Sequence, residues 1–188
     1  MSNVFTVFAP GGGGHHVANL LSTDSKIIDR FDMDYYRNSS DNLFHCENFD
    51  NEQLKPKNID LEKMLKGSRA HACHFFEWES FVFAKLLKDR KFIMITLPNY
   101  GSRGHHRMCD MNEAYKEEYF YYEMKALYTN KNFKKVFDLQ EQCLQINGND
   151  VFSSGKFIDS LTAQAKTIGI DLDKDKCAEA HSLWLSKL

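Results

Sequence analysis

Apolar residues along the chain alternate between short unbroken runs and helical spacing. Val4–Ala9 reads Val-Phe-Thr-Val-Phe-Ala and stops at Pro10. An unbroken run of β-formers predicts a strand buried on both faces, as in parallel sheets. Four glycines follow, Gly11–Gly14, and then Val17, Leu20 and Leu21 recur at i, i+3, i+4, one face of a helix that Ser22–Ser25 close. Lys91–Leu97, bounded by Arg90 and Pro98, is a second strand of the first kind. Ala70–Phe76 predicts a strand in which small and aromatic residues alternate with histidine, and Cys143–Ile146 a short one ending in Asn147–Asp150. Ile27–Ile28 and Asn42–Cys46 read as strand fragments.

Helical spacing is expected over Ile59–Leu65, Glu77–Leu87, Met111–Tyr128, Ser153–Thr167 and Lys174–Leu188. Asp150 and Asp173 stand where N-caps are wanted. Arg30–Asp41 and Tyr100–Arg107 read as loops. Strands alternating with helices predict an α/β fold: three layers, α/β/α, around a mostly parallel central sheet. The length, 188 residues, fits one domain over 1–188.

Composition narrows the classes. With 43% hydrophobic residues and 15 Phe, the chain carries enough apolar material for a core, which excludes disorder and coiled coils. A formal charge of −2 lacks the basic excess of a phosphate-neutralising nucleic-acid binder, so no nucleic-acid partner is expected. The 5 cysteines are scattered, odd in number and without CxxC spacing, which points to a reduced, intracellular chain. The opening residues lack a basic segment and a long apolar stretch, so no signal peptide and no membrane association are expected. A cytoplasmic protein is the expectation.

The strongest chemical signal is Gly11–Gly14 followed by His15 and His16. A glycine loop between a buried first strand and a helix exposes backbone N–H groups at the positive helix end, where an anion is stabilised. Glycine permits positive φ and close approach of a phosphate. The alternative is a bare turn with no ligand. The loop lacks the Gly-Lys-Ser/Thr ending of a nucleoside-triphosphate P-loop, so ATP hydrolysis is disfavoured. Nor does it match a dinucleotide fingerprint, since Asp29 comes early for the acidic residue. His15 or His16, if protonated, would supply the positive charge of the missing lysine. The competing reading makes them exposed residues at a helix start.

The strand, glycine loop and helix, with Asn19-Leu20-Leu21 following, resemble the phosphosulfate-binding loop of sulfotransferases of the P-loop fold. Leu144–Phe152 resembles that superfamily's strand, acidic residue and helix, and Ile168–Leu172 with His181–Trp184 its closing helices. The resemblance is topological and spans most of the chain. It implies a 3′-phosphoadenylyl sulfate donor, no metal, and a small acceptor bearing a hydroxyl or amine. Family members commonly carry Lys or Arg where Gly11 or Gly12 stands, and arginine where Thr96 follows the strand. Ser102, Arg103 and Arg107, just beyond, are the residues to which the resemblance points for the donor's 3′-phosphate. It also implies a histidine near a strand end as the base on the acceptor, and His74 is the better placed of His71 and His74. A satisfied core histidine is the alternative. Glu77, after the carboxyl end of the same strand, is the other candidate base, because ligands bind outside the carboxyl ends of parallel strands.

His71, Cys73, His74, His105, His106 and Cys109 hold ligand atoms, but their spacing is not that of a structural zinc site. No metal is expected. Tyr115, Tyr119 and Tyr122 recur at helical spacing and read as core plus rim. Two functions remain: sulfuryl transfer, or a non-catalytic nucleotide- or phosphate-binding protein that keeps the P-loop-like fold.

Overall fold

The computed structural model describes residues 3–27, 31, 33–38, 70–74, 91–129, 131–132 and 143–188. Four strands, β1 (Val4–Phe8), β2 (Ala70–His74), β3 (Lys91–Ile95) and β4 (Cys143–Ile146), pair in the order β2-β1-β3-β4, every neighbour parallel. Val4 stands level with Ala70 on one side and Lys91 on the other, and Ile95 with Ile146. β1 is buried along its whole length, the condition that an unbroken apolar run requires. Its Phe5 and Phe8 rings are wholly inside. Each contributes about 1.5–3 kcal/mol by leaving water, which favours the centre of the sheet over an edge.

The chain leaves β1 for β2 on one side and then crosses to β3 on the other. Among the described strands the order therefore reverses at the β1/β3 pair. In open parallel sheets such a reversal leaves a crevice outside the carboxyl ends, where the two loops part. Here those loops are the glycine loop after β1 and residues Thr96–Ser102 after β3.

Alternation along the strands sorts the two sheet faces. Val4, Phe8, Ala70, Ala72, Ile93, Ile95 and Ile146 share one apolar cluster with Val17, Leu20 and Leu21 of α1 (Gly14–Leu21), Leu161 and Ala165 of α6 (Phe157–Thr167), and Cys177, Ala180 and Trp184 of α7 (Lys174–Ser186). Phe5, Val7, Phe92 and Met94 point the other way and are buried too. This is an α/β fold with a sheet buried on both faces. No helix among the described residues is long and apolar enough to cross a membrane.

Several boundaries differ from the sequence expectations. Ile27 lies in a turn closed by its N–H on the Asp24 carbonyl, not in a strand. Met33–Asn38, expected as loop, forms the short helix α2, because Tyr36 docks on α1 and Arg37 pairs with Glu179 of α7 at 2.6 Å. The expected loop Tyr100–Arg107 is a turn at Tyr100–Gly101 followed by helix α3 (Arg103–Met111). Here the Ser102 hydroxyl accepts the His105 N–H and so starts a helix. The long helix expected from Met111 to Tyr128 is broken. Asn112 is extended, and its side chain caps a single 3-10 turn, Glu113–Lys116, before α4 (Glu118–Leu127) begins. Asn147, not Asp150, is the cap after β4: it opens the short helix α5 (Gly148–Val151). Asp173 does cap α7, accepting from Lys176 N–H at 3.1 Å. The expected elements at Asn42–Cys46, Ile59–Leu65 and Glu77–Leu87 lie outside the described residues.

Candidate functional site

The glycine loop leaves the carboxyl end of β1. Gly11 and Gly13 both take φ 78, the left-handed region that suits glycine, and the Gly12 N–H folds back onto the Ala9 carbonyl at 2.8 Å. Gly13 caps α1 with no side chain, and the first bond of that helix runs from the Val17 N–H to the Gly13 carbonyl. Among the described residues, the N–H groups of Gly13, Gly14 and His16 take no partner. Three donors at a helix start are thus left over, in the place where an anion fits.

Packing also demands these glycines. A Cβ on Gly13 would lie 2.8 Å from Val151 Cγ1 and 3.2 Å from the Trp184 ring, and one on Gly11 2.8 Å from Met108 Cα. A Cβ on Gly14 would run into the Phe8 ring. The loop is held between α3, α5 and α7 rather than swinging free.

His15 is half-buried with its ring edge-on to Phe8, centroids 5.1 Å apart. The imidazole of His16 is buried, contrary to the reading of an exposed helix start. It stacks on the Trp184 indole, centroids 4.3 Å apart and planes 7° from parallel. Its hydrogen bonds form a chain. His181 Nε2–H donates to the Ser153 carbonyl at 2.8 Å, which leaves His181 Nδ1 to accept His16 Nε2–H at 3.0 Å. His16 Nδ1 then accepts the Tyr36 hydroxyl at 3.0 Å, and that oxygen accepts Asn19 Nδ2–H at 2.7 Å. One set of neutral tautomers satisfies every link. Burial, and after it the neighbouring His181, holds His16 well below the ordinary histidine value; burial lowers His181 as well. A neutral imidazole supplies no lysine-like charge, so His16 contributes to the loop through its backbone N–H.

The other predicted phosphate ligands sit on α3. Ser102 Oγ is occupied as the cap of that helix. Arg103 donates to the Leu185 carbonyl at 3.0 Å, capping the end of α7, where a cation is favoured. Arg107 is half-buried and bonds to no described residue. It lies one turn after Arg103, which touches α7, and one turn before Met111, whose side chain abuts Gly11. Arg107 is therefore the cation on the stretch of α3 between its contact with the end of α7 and its contact with the glycine loop.

His105 serves as scaffold. Its Nε2–H donates to the Tyr115 carbonyl at 3.1 Å while Nδ1 accepts the Gly101 N–H at 3.2 Å, and burial lowers its pKa. Tyr115 and Tyr121 are core, and burial pushes both hydroxyls up, that of Tyr121 to about 12. Tyr119 and Tyr122 are exposed rim. His71 stacks on Phe5 at 4.6 Å and donates from Nε2 to Asn3 Oδ1 at 2.9 Å, a core histidine. His74 ends β2 level with Phe8, the last residue of β1, which puts its backbone at the loop end of the sheet. Glu77 lies outside the described residues. No metal-ligand cluster occurs among the described residues.

Sequence reasoning did not find the His16 chain. Its signals were present but scattered: Tyr36 in a stretch read as loop, and His181 three residues before Trp184 on a helix face. Beyond His181 opens a groove of about 270 Å³ between α6 and α7, lined by Ser154, Ile158, Asp159, Lys174 and Ser182 among others. Comparison with known proteins finds no matching family, no matching curated protein and no matching solved structure.

Proposed function

We propose that the glycine loop binds the phosphate or phosphosulfate end of a nucleotide, on a P-loop-like α/β/α scaffold. The observation that carries this reading is the coincidence of two features. The Gly13, Gly14 and His16 N–H groups are unclaimed among the described residues, and they open at the carboxyl end of the strand where the sheet order reverses. Arg107 supplies the charge, with a charge-assisted contact worth about 1.5–3 kcal/mol.

Sulfuryl transfer is the catalytic form of the same proposal. An acceptor hydroxyl would attack sulfur, the bond from sulfur to the donor's bridging oxygen would break, and the hydroxyl proton would pass to His74 or Glu77. Adenosine 3′,5′-bisphosphate would leave, its negative charge met by the loop N–H groups. The commitment of Ser102 and Arg103 to helix ends favours the non-catalytic form, since a 3′-phosphate would have to displace both.

Calorimetry with adenosine 3′,5′-bisphosphate, 5′-AMP and pyrophosphate tests it, alongside amide shifts of Gly11–His16. Binding of all three with similar affinity, and shifts at the loop, supports the binding protein. At least tenfold preference for the bisphosphate, with turnover of a phosphosulfate donor, establishes the transferase. Absence of loop shifts with every ligand refutes both.

A further inference from the structure

The hydrogen-bond chain from Asn19 through Tyr36, His16 and His181 to the Ser153 carbonyl ties α1, α2 and α7 together at one buried point. We propose that this chain is a proton-operated latch: α2 is held against α1 and α7 only while the His16 and His181 imidazoles are both neutral.

Hydrogen positions along the chain set the response to a proton. A proton added to His181 puts an N–H on Nδ1, facing the N–H of His16 Nε2 across 3.0 Å. Two donors then oppose each other. Relief requires His16 to move its hydrogen to Nδ1, where it faces the Tyr36 O–H. Tyr36 must turn that hydrogen away, and Asn19 already donates to the same oxygen. A proton added to His16 reaches the Tyr36 hydroxyl in one step. A second proton leaves no arrangement that satisfies all links. Each route ends at the Tyr36 hydroxyl, the buried anchor of α2.

The buried carboxylate of Asp24, past the end of α1, is taken by the Lys26 and Asp171 N–H groups at 2.8 Å rather than by a member of this chain. The charged groups on the surrounding elements include Asp34 and Arg37 on α2, Lys176 and Glu179 on α7 with Asp173 at its cap, Lys187 just past it, and Asp159 and Lys174 beyond His181. They are engaged with one another or with backbone: Arg37 with Glu179 at 2.6 Å and Asp34 at 3.6 Å, Lys174 with Asp159 at 2.6 Å, and Lys187 with the Tyr36 carbonyl. From α1 the chain meets only Asn19, with His15 beside it. Burial holds both imidazoles below the ordinary histidine value of 6.5, and release of α2, by admitting water to the chain, raises them toward it. A group whose pKa is depressed in the closed state holds fully above 6.5 and gives way as pH falls below it. The closed-to-open ratio drops about tenfold per pH unit for each proton taken up. The other polar ties of α2 to this region are the exposed Arg37–Glu179 pair, a weak hold, and Lys187 on the Tyr36 carbonyl.

The test is hydrogen exchange by NMR on the full chain between pH 8 and 5, corrected for intrinsic rates. It follows the amides of Arg37 and Asn38 against those of Ile93 and Met94 in β3. Trp184 emission in a Trp78→Phe background reports on His16, which stacks on the indole. The latch predicts Nε2–H tautomers for His16 and His181 at pH 7.5, at least tenfold loss of α2 protection by pH 5.5 with β3 remaining the better protected, and quenching of Trp184 in step. His181→Gln can accept from His16 and donate to Ser153 without titrating, so it should reduce the pH slope to that of one histidine. Glu179→Gln should lower α2 protection evenly at all pH values, leaving the slope intact. Flat α2 protection from pH 8 to 5 overturns the latch, and so does α2 protection equal to that of β3 at every pH, which would mean that α2 opens only with the whole fold. If His181→Gln fails to fold, the wild-type series decides alone.

Discussion

After β1 the chain turns through Gly11 and Gly13 at positive φ and enters α1 with no side chain on its first-turn amides. After β3 it also turns at a positive-φ glycine, Gly101, but there side chains take up several of the nearby N–H groups. Ser102 Oγ takes the His105 N–H, His105 Nδ1 takes the Gly101 N–H, and Asn149 Oδ1 takes the Asn99 N–H at 2.7 Å. Two loops at the same end of one sheet thus differ in whether side chains take up their amides. A loop that satisfies its own amides positions a helix; one that leaves them open can take an external acceptor. The glycines differ too. Those of the first loop are walled by Phe8, Met108, Val151 and Trp184, whereas Gly101 has nothing within 4 Å of its would-be Cβ.

That contrast can be broken or sharpened by substitution. The largest effect is expected from Gly14→Ala, which forces a methyl into the Phe8 ring and should cost about 3 kcal/mol by overpacking, read from urea denaturation. A loss below about 1 kcal/mol would mean the first loop yields as easily as the second. Next comes pH. The buried neutral histidines, His16 and His181 behind the first loop and His105 behind the second, each favour folding above 6.5. That support is lost as pH falls, by up to about 1.4 kcal/mol per unit and group. Thermal melts from pH 7.5 to 5 should therefore drop, and a flat profile would remove the neutral-histidine argument.

Smaller effects separate the loops by function. Gly101→Ala has room but must adopt φ 77, so about 1–2 kcal/mol of strain is expected. Ser102→Ala removes one cap and should cost about 1 kcal/mol while leaving loop amide shifts with phosphate intact. Arg107→Ala, which breaks no bond to a described residue, should change stability by less than about 0.5 kcal/mol. It should weaken phosphate binding about tenfold in calorimetry. Unchanged phosphate binding would take Arg107 out of the site.

Much of the fold was legible because local rules act within a few residues. Continuous apolar runs gave β1 and β3, and Asp173 announced the start of α7. The glycine loop followed from its own composition. The misreadings have a common cause. Tyr36 and Ser102 carry turn-like or polar neighbours, yet Tyr36 sits in a helix and Ser102 starts one through one bond to a distant or downstream group. In Met111–Tyr128 helical spacing continued through Asn112, but its side chain bonded the backbone locally and ended the helix.

The sequence by itself determined that a buried strand runs into a glycine turn and then a helix, since backbone sterics and apolar burial require no partner element to favour it. Only the tertiary structure decided what that turn's side chains do. His16 lies 165 residues from His181 and 20 from Tyr36 along the chain. No local pattern carries their pairing: it arises when α1, α2 and α7 close over one buried point, where water is excluded and each imidazole nitrogen must find a partner in the protein.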